Sequence, residues 1–312
     1  MIEYHMGPSE RPGVKFSLSA RHKNSWCQFY MEIIIQMKKI IPFLLMAITS
    51  GQSFGQLPKS TETVKVNGIN MYYEVYGEGE PLLLLHGWTQ TSGFWSEYIP
   101  TYLQHFKVYA IDLRGHGKTS PLTSDFTIEE SAKDILELLD HLKINKVKAI
   151  GLSYGGLTLL EMASLNPEKI GSIILIGASH SYKGGENNEG DNAFSYENLP
   201  TSFIEELKKI HHHGETQIRA LFDPNLNYQI KLTDEKLNTF NFRTLIVHGD
   251  RDEILGVDHA FELYKNIPNS ALWIVPNTGH IAIIGPNKNS FLTTSIKFLS
   301  LDNNNGTNAN KE

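Results

Sequence analysis

The stretch PLLLLHGW at positions 81–88 sets four leucines in succession and then stops at a His-Gly pair. A strand with one face in water alternates apolar and polar side chains, so an unbroken apolar run this short marks a strand buried on both faces. Such burial needs a covering layer on each side of a sheet, which one chain supplies with helices crossing over between parallel strands. The same grammar recurs in FKVYAIDL (106–113), KVKAIGLS (146–153), GSIILIGAS (171–179), RTLIVHGD (243–250) and ALWIVP (271–276), most of them ending in a Gly- or Asp-rich loop. Between them, TIEESAKDILELLDHL (127–142) carries Ile128, Ala132, Ile135, Leu138, Leu139 and Leu142 at helical spacing, with Thr127 and Glu130 set as a capping box. Upstream, ETVKVNGINMYYEVYG (62–77) alternates around Asn67-Gly68, a dipeptide suited to the type I′ turn of a tight hairpin. The expected fold is α/β, a mostly parallel doubly wound sheet opened by an antiparallel hairpin, with its chemistry at the C-terminal strand ends.

One segment breaks the rhythm. Residues 181–241 are far longer than a crossover needs and contain the polar SYKGGENNEGDN and the helix-like TSFIEELKKIHHH and ETQIRALF. They read as a small helical cap. At 312 residues and 40% hydrophobic content the chain suffices for one sizeable core, and no internal repeat is visible. The formal net charge of -6, with no basic cluster, argues against nucleic acid as a partner. Cys27 is the only cysteine, which excludes an intrachain disulfide, a Cys-rich zinc site and a Cys-x-x-Cys redox pair.

From Met37 the sequence MKKIIPFLLMAITSGQSFGQ has the order of a secretory signal: Lys38 and Lys39, an apolar run from Ile40 to Ile48, then small Ser53 and Gly55. The run is too short for a membrane span of about 20 residues, and no cysteine follows to carry a lipid anchor. The expected organisation is therefore a non-native extension over 1–36, a signal peptide over 37–55, one domain over 56–301 with its cap at about 181–241, and a disordered tail over 302–312. The expected location is periplasmic or secreted, with no stable membrane anchor and with Cys27 removed from the mature chain.

Residues 148–156, KAIGLSYGG, crowd Gly151, Ser153, Gly155 and Gly156 where a buried strand ends and the helical YGGLTLLEMASL begins. Glycine permits the close backbone contacts of a sharp corner, so the spacing suits a serine exposed on a strand-to-helix elbow. The helix N-terminus there favours developing negative charge. A serine hydroxyl is a poor nucleophile without a general base and a group to orient that base. His280 in VPNTGHIAII follows the last strand and is the candidate base; the preceding strand end, HGDRDEIL, supplies Asp252 as candidate acid with Asp250 as its rival.

In their order along residues 62–300, the motifs LLLLHGW, DLRGHG, GLSYGG, HGDRD and TGH resemble the α/β-hydrolase superfamily. The resemblance implies Ser153 as nucleophile, His280 as base, and Asp252 as acid, since the family sets the acid three residues after the glycine, here Gly249. It also implies an oxyanion hole formed by the backbone N–H groups of Trp88 and Tyr154. Relatives that open epoxides or remove halogens share the Asp-Leu-Arg-Gly-His-Gly pattern but carry aspartate at the elbow. Serine points to acyl transfer, with a small-molecule ester, thioester or lactone as substrate. Two alternatives share the same triad: a cofactor-free haloperoxidase or perhydrolase, and a receptor that binds without turnover. No cofactor and no metal is expected.

His86 and His116, beside glycines, are expected to hold loop backbone. His211-His212-His213 is expected to be a solvated helix face, because consecutive helical residues point in different directions. Phe194, Tyr196, Phe203, Phe222, Tyr228 and Phe240 are candidates to line an apolar acyl pocket.

Overall fold

Asn67 and Gly68 take φ angles of 43° and 79°, closing a two-residue turn between β1 (Lys59–Val66) and β2 (Ile69–Tyr76). The computed structural model describes residues 59–183 and 195–301. The expected signal peptide and the stretch before it, Phe194 and the tail lie outside the described residues.

Beyond the hairpin come β3 (Glu80–Leu85), the short α1 (Ile99–Tyr102), β4 (Phe106–Ile111), α2 (Ile128–His141), β5 (Val147–Leu152), α3 (Tyr154–Leu165) and β6 (Ile170–Ile176). The cap segment follows with β7 (Ser181–Lys183), α4 (Thr201–Ile210), α5 (Gly214–Ala220), β8 (Gln229–Lys231) and α6 (Asp234–Leu237). The core then resumes with β9 (Arg243–Gly249), α7 (Val257–Asn266), β10 (Ser270–Val275) and α8 (Lys288–Leu299). One sheet runs in the order β1-β2-β4-β3-β5-β6-β9-β10. Only the β1/β2 and β2/β4 pairs in it are antiparallel; β7 and β8 form a separate antiparallel pair.

The leucine run behaves as two-sided burial requires. Leu83 and Leu85 belong to one apolar cluster with Ile135 of α2, Leu160 of α3 and Leu263 of α7, whereas Leu82 and Leu84 belong to a second with Trp95, Tyr98 and Phe291 of α8. All four leucines are fully buried. Each such side chain stabilises the fold by roughly 1.5–3 kcal/mol, so this strand alone ties both layers to the sheet.

At the start of α2 the Thr127 hydroxyl accepts the Glu130 N–H at 3.0 Å, the expected half of a capping box. The other half is replaced. The Glu130 carboxylate accepts instead from Asn67 Nδ2 at 3.0 Å and Lys133 Nζ at 2.8 Å, because the hairpin turn packs onto this helix end. Beside it Asp134 accepts from Asn67 Nδ2 at 2.9 Å and from Arg114 Nε at 2.7 Å, with a second guanidinium contact from Nη2. Arg114 and Asp134 are both buried. Removing one partner of such a pair leaves the other charge without compensation. Asp134→Ala is expected to lower the unfolding free energy by about 3 kcal/mol or more, measured by urea denaturation.

Candidate active site

Between the end of β5 and the start of α3, Ser153 sits at φ 49° and ψ −113°, a sparsely populated conformation for a residue with a Cβ. Holding it there costs on the order of 1–3 kcal/mol. Its N–H donates to Ile176 O at 2.8 Å, and Gly155 N–H donates to His86 O at 3.0 Å, so two neighbouring strand ends grip the corner. The glycines are needed for space. A Cβ on Gly151 would lie 2.5 Å from the Gly155 backbone, and one on Gly155 would lie 2.5 Å from Leu85 O.

The Ser153 hydroxyl meets His280 Nε2 at 2.8 Å, and His280 Nδ1 meets Asp252 Oδ2 at 2.8 Å. The ring therefore donates its Nδ1–H to the carboxylate and accepts from the serine hydroxyl at Nε2. Asp252 Oδ1 accepts the N–H groups of Ile254 and Leu255, each at 2.9 Å. Burial pushes the Asp252 carboxyl up, but the hydrogen bond and charge of His280 and these two amides outweigh it, holding the group below the ordinary carboxylate range. Asp250 is exposed, and its Oδ1 accepts the Thr278 N–H at 3.2 Å. Of the two rivals, Asp252 is the one that meets His280. Trp88 N–H donates to no acceptor among the described residues. Tyr154 opens α3, where helix geometry leaves the amide without an intrahelical partner.

A second histidine reaches the same carboxylate. His248, fully buried on β9, turns Nε2 towards Leu255 O at 2.8 Å and Asp252 Oδ2 at 3.2 Å. The carbonyl can only accept, so Nε2 carries the proton. Sequence reasoning read His248 only as part of HGDRD; the available signal was its position at the end of a strand, four residues before the acid.

The loop histidines hold backbone as expected. His86 accepts Leu113 N–H at Nε2 (3.0 Å) and donates from Nδ1 to Gly87 O (2.8 Å). His116 accepts Thr89 N–H at Nε2 (3.0 Å) and donates from Nδ1 to Arg114 O (2.9 Å). The three-histidine run departs from expectation. Helix α4 ends at Ile210, and His211 turns inward to 2% exposure, while His212 and His213 remain exposed. Burial pushes the imidazoles of His86 and His211 down to about 4 and that of His116 well below the usual range.

The cap aromatics divide. Tyr228 packs on Trp88 and Tyr154 with ring centroids 4.6 and 6.0 Å apart. Phe203 meets Phe222 edge-on at 6.4 Å. Phe240 is fully buried and stacked on Phe242 at 5.3 Å in the core. Tyr196 lies under the Arg219 guanidinium and shares with it a cleft also lined by Phe222, which includes none of Ser153, Asp252 and His280. Among the described residues no group of three or more His, Cys, Asp or Glu side chains is arranged to hold a metal ion, and no helix is long and apolar enough to cross a membrane.

A family model described as alpha/beta hydrolase fold matches residues 80–213. The chain is 24% identical to the 2-hydroxy-6-oxo-6-(2'-aminophenyl)hexa-2,4-dienoic acid hydrolase of Metapseudomonas resinovorans, over 76% of this chain and 90% of that protein. It is 26% identical to the pimeloyl-[acyl-carrier protein] methyl ester esterase of Nitrosospira multiformis, over 74% of this chain and 98% of that one. Among solved structures, the esterase RhEst1 from Rhodococcus sp. ECU1013 superposes with a TM-score of 0.63 at 22% identity, covering 77% of this chain and 98% of the esterase, a likeness of fold.

The buried imidazoles make stability depend on pH. In the unfolded chain they titrate near 6.5 and in the folded protein His86 and His211 titrate near 4, so the unfolded state takes up more protons as pH falls between these values. Their contribution is full above the unfolded value and is lost as pH falls through the window. Urea melts taken from pH 7 to 4.5 are expected to show falling stability. His211→Gln is expected to flatten the slope by at most about 1.4 kcal/mol per pH unit, one proton's worth.

Proposed function

This chain belongs to the α/β-hydrolase superfamily and is a hydrolase, and from that premise we propose that it cleaves a carboxylic ester, thioester or lactone through an acyl-Ser153 intermediate. The observation that carries the reading is the unbroken line from Ser153 Oγ through both ring nitrogens of His280 to Asp252, with 2.8 Å at each step. In the acylation step Ser153 Oγ bonds to the carbonyl carbon, its proton passes to His280 Nε2, and the carbonyl electron pair moves to oxygen. The Trp88 and Tyr154 amides stabilise that oxyanion. Collapse of the intermediate breaks the bond to the leaving alcohol or thiol, which takes the proton from Nε2. Water then gives a proton to Nε2 and attacks the acyl carbon; a second collapse returns the proton to Ser153 and releases the acid. Asp252 stays ionised throughout and fixes the ring through Nδ1–H.

Ester chemistry is supported by the names of relatives that act on esters, and apolar acyl groups by the Trp88, Tyr154 and Tyr228 rings gathered beside the elbow. The reading includes export of the chain from residue 56, supported by the lysine pair, apolar run and small residues that follow Met37. N-terminal sequencing of protein recovered from outside the cytoplasm is expected to begin at Gln56.

The test is a series of p-nitrophenyl esters graded by acyl length, together with a fluorophosphonate probe. Multiple turnover is expected, with one adduct at Ser153. Ser153→Ala is expected to abolish the adduct and all but a trace of turnover. Asp252→Asn is expected to lower kcat by about 10³-fold or more, and Asp250→Asn only a few-fold, with the larger loss at Asp250 reversing the choice of acid. A single burst of one equivalent on every ester would turn the reading to a binding protein, and peroxide-dependent halogenation exceeding ester turnover would turn it to a haloperoxidase.

A further inference from the structure

We propose that His211, contributed by the cap, is a positioning residue for the oxyanion hole, acting through the backbone of Thr89 on the neighbouring Trp88 amide. The inference rests on the serine-hydrolase reading for its kinetic consequences and on geometry alone for the clamp.

Thr89 is the second unusual backbone position of the site. Its φ is 64°, in the left-handed region that a β-branched residue rarely enters. A residue there persists only when its surroundings over-determine it. Two imidazoles do so. Thr89 N–H donates to His116 Nε2 at 3.0 Å, and Thr89 O lies 3.2 Å from His211 Nε2. The tautomer of His211 follows from its other nitrogen: Nδ1 accepts the Gly117 N–H at 2.9 Å, so the proton sits on Nε2 and is donated to Thr89 O. His116 is fixed the opposite way, with Nδ1–H on Arg114 O and Nε2 free to accept. One imidazole thus receives from the Thr89 peptide and the other gives to it.

The cap grips the preceding residue as well, since Trp88 Nε1–H donates to Leu221 O at 3.0 Å. The residue whose amide is the proposed oxyanion donor is therefore held by the cap through its side chain, and its successor is held through its carbonyl. Around His211 the packing is complete. The His116 ring lies 5.7 Å away, His212 N–H donates to Gly117 O at 3.0 Å, and the Gln217 amide of α5 donates to Gly115 O and Gly117 O at 3.1 and 3.2 Å. The charged or titratable groups bearing on the ring are His86, Asp112, His116 and His212, and burial keeps the ring neutral at ordinary pH. Neutrality matters, because a proton added at Nδ1 would face the Gly117 N–H donor.

An oxyanion donor acts on the transition state and not on bound substrate, so loosening it lowers kcat and leaves KM nearly unchanged. His211→Phe keeps a ring against His116 and removes both polar contacts; His211→Gln restores a donor at the reach of Nε2. For His211→Phe a drop in kcat of about 10- to 100-fold is expected, with KM within about two-fold. Affinity for a boronic acid, which mimics the tetrahedral state, should fall by a similar factor, while affinity for the product carboxylate holds. His211→Gln is expected to recover most of the loss. Hydrogen exchange across residues 86–91 of the folded full-length protein gives a readout independent of turnover, and it should be faster in His211→Phe and near wild type in His211→Gln. A rise in KM with kcat unchanged, or unchanged exchange across 86–91, overturns the proposal. If the wild-type protein turns over no ester while exchange follows the expected pattern, the hydrolase reading fails and the clamp stands.

Discussion

The start of α3 can sit against the ends of β3 and β5 only because positions 151, 155 and 156 carry no Cβ. At Gly156 even a methyl group would approach the Ala178 side chain to 2.7 Å, and at Gly155 the clash is with the backbone of β3. Backbone cannot yield as a flexible side chain does, so the requirement is absolute at the latter position. From this approach follow the positive φ of Ser153, the emergence of its hydroxyl beyond the sheet, and the exposure of the Tyr154 amide at the helix start. The His86 carbonyl, by accepting from Gly155, ties the same corner to the loop that carries Trp88. The nucleophile and the Tyr154 oxyanion donor, as proposed, are thus consequences of one packing contact.

A second close approach brings the proposed base to the proposed acid. A Cβ on Gly249 would lie 2.3 Å from the Thr278 and Gly279 carbonyl oxygens, so the loops after β9 and β10 touch where Asp252 and His280 face one another. Burying a carboxylate is expensive unless its lone pairs are met. Asp252 has them met by His280, His248 and the amides of Ile254 and Leu255, whereas Asp250, facing water, needs no such shell. Hence the two aspartates of HGDRD, alike in sequence, are unlike in kind.

What was legible in the sequence follows the same physics. Two-sided burial writes itself as an unbroken apolar run, so β3, β5, β6 and β9 were readable, and the glycine crowding marked the elbow. The order of Ser153, Asp252 and His280 was readable because each follows a strand end. The residues that escaped depend on distant contacts. His211 looked like one more turn of α4; the helix ends before it, and its ring accepts the N–H of Gly117, 94 residues earlier. Glu130 looked like half of a capping box until the hairpin turn brought Asn67 to it. Local patterns report which face of an element is buried, and they do not report which partner buries it.

The two halves of the proposed catalytic apparatus are held by different means. Ser153, Asp252 and His280 hang from β5, β9 and the loop after β10, members of one parallel sheet whose register is fixed by backbone ladders and by packing on both faces. Trp88 lies on a loop, and its neighbours Thr89 and Gly87 are held by side chains: His116, the cap's His211, and Gln90, whose carbonyl oxygen accepts the Gly87 N–H at 3.1 Å. Ladders of a central sheet open only near the global unfolding limit, whereas loop contacts open locally and at lower cost. The cap contacts therefore bear on the Trp88 loop and not on the strands that carry Ser153 and Asp252. On the proposed reading, the sheet positions the nucleophile and base, and the cap contacts at Trp88 and Thr89 position one oxyanion donor.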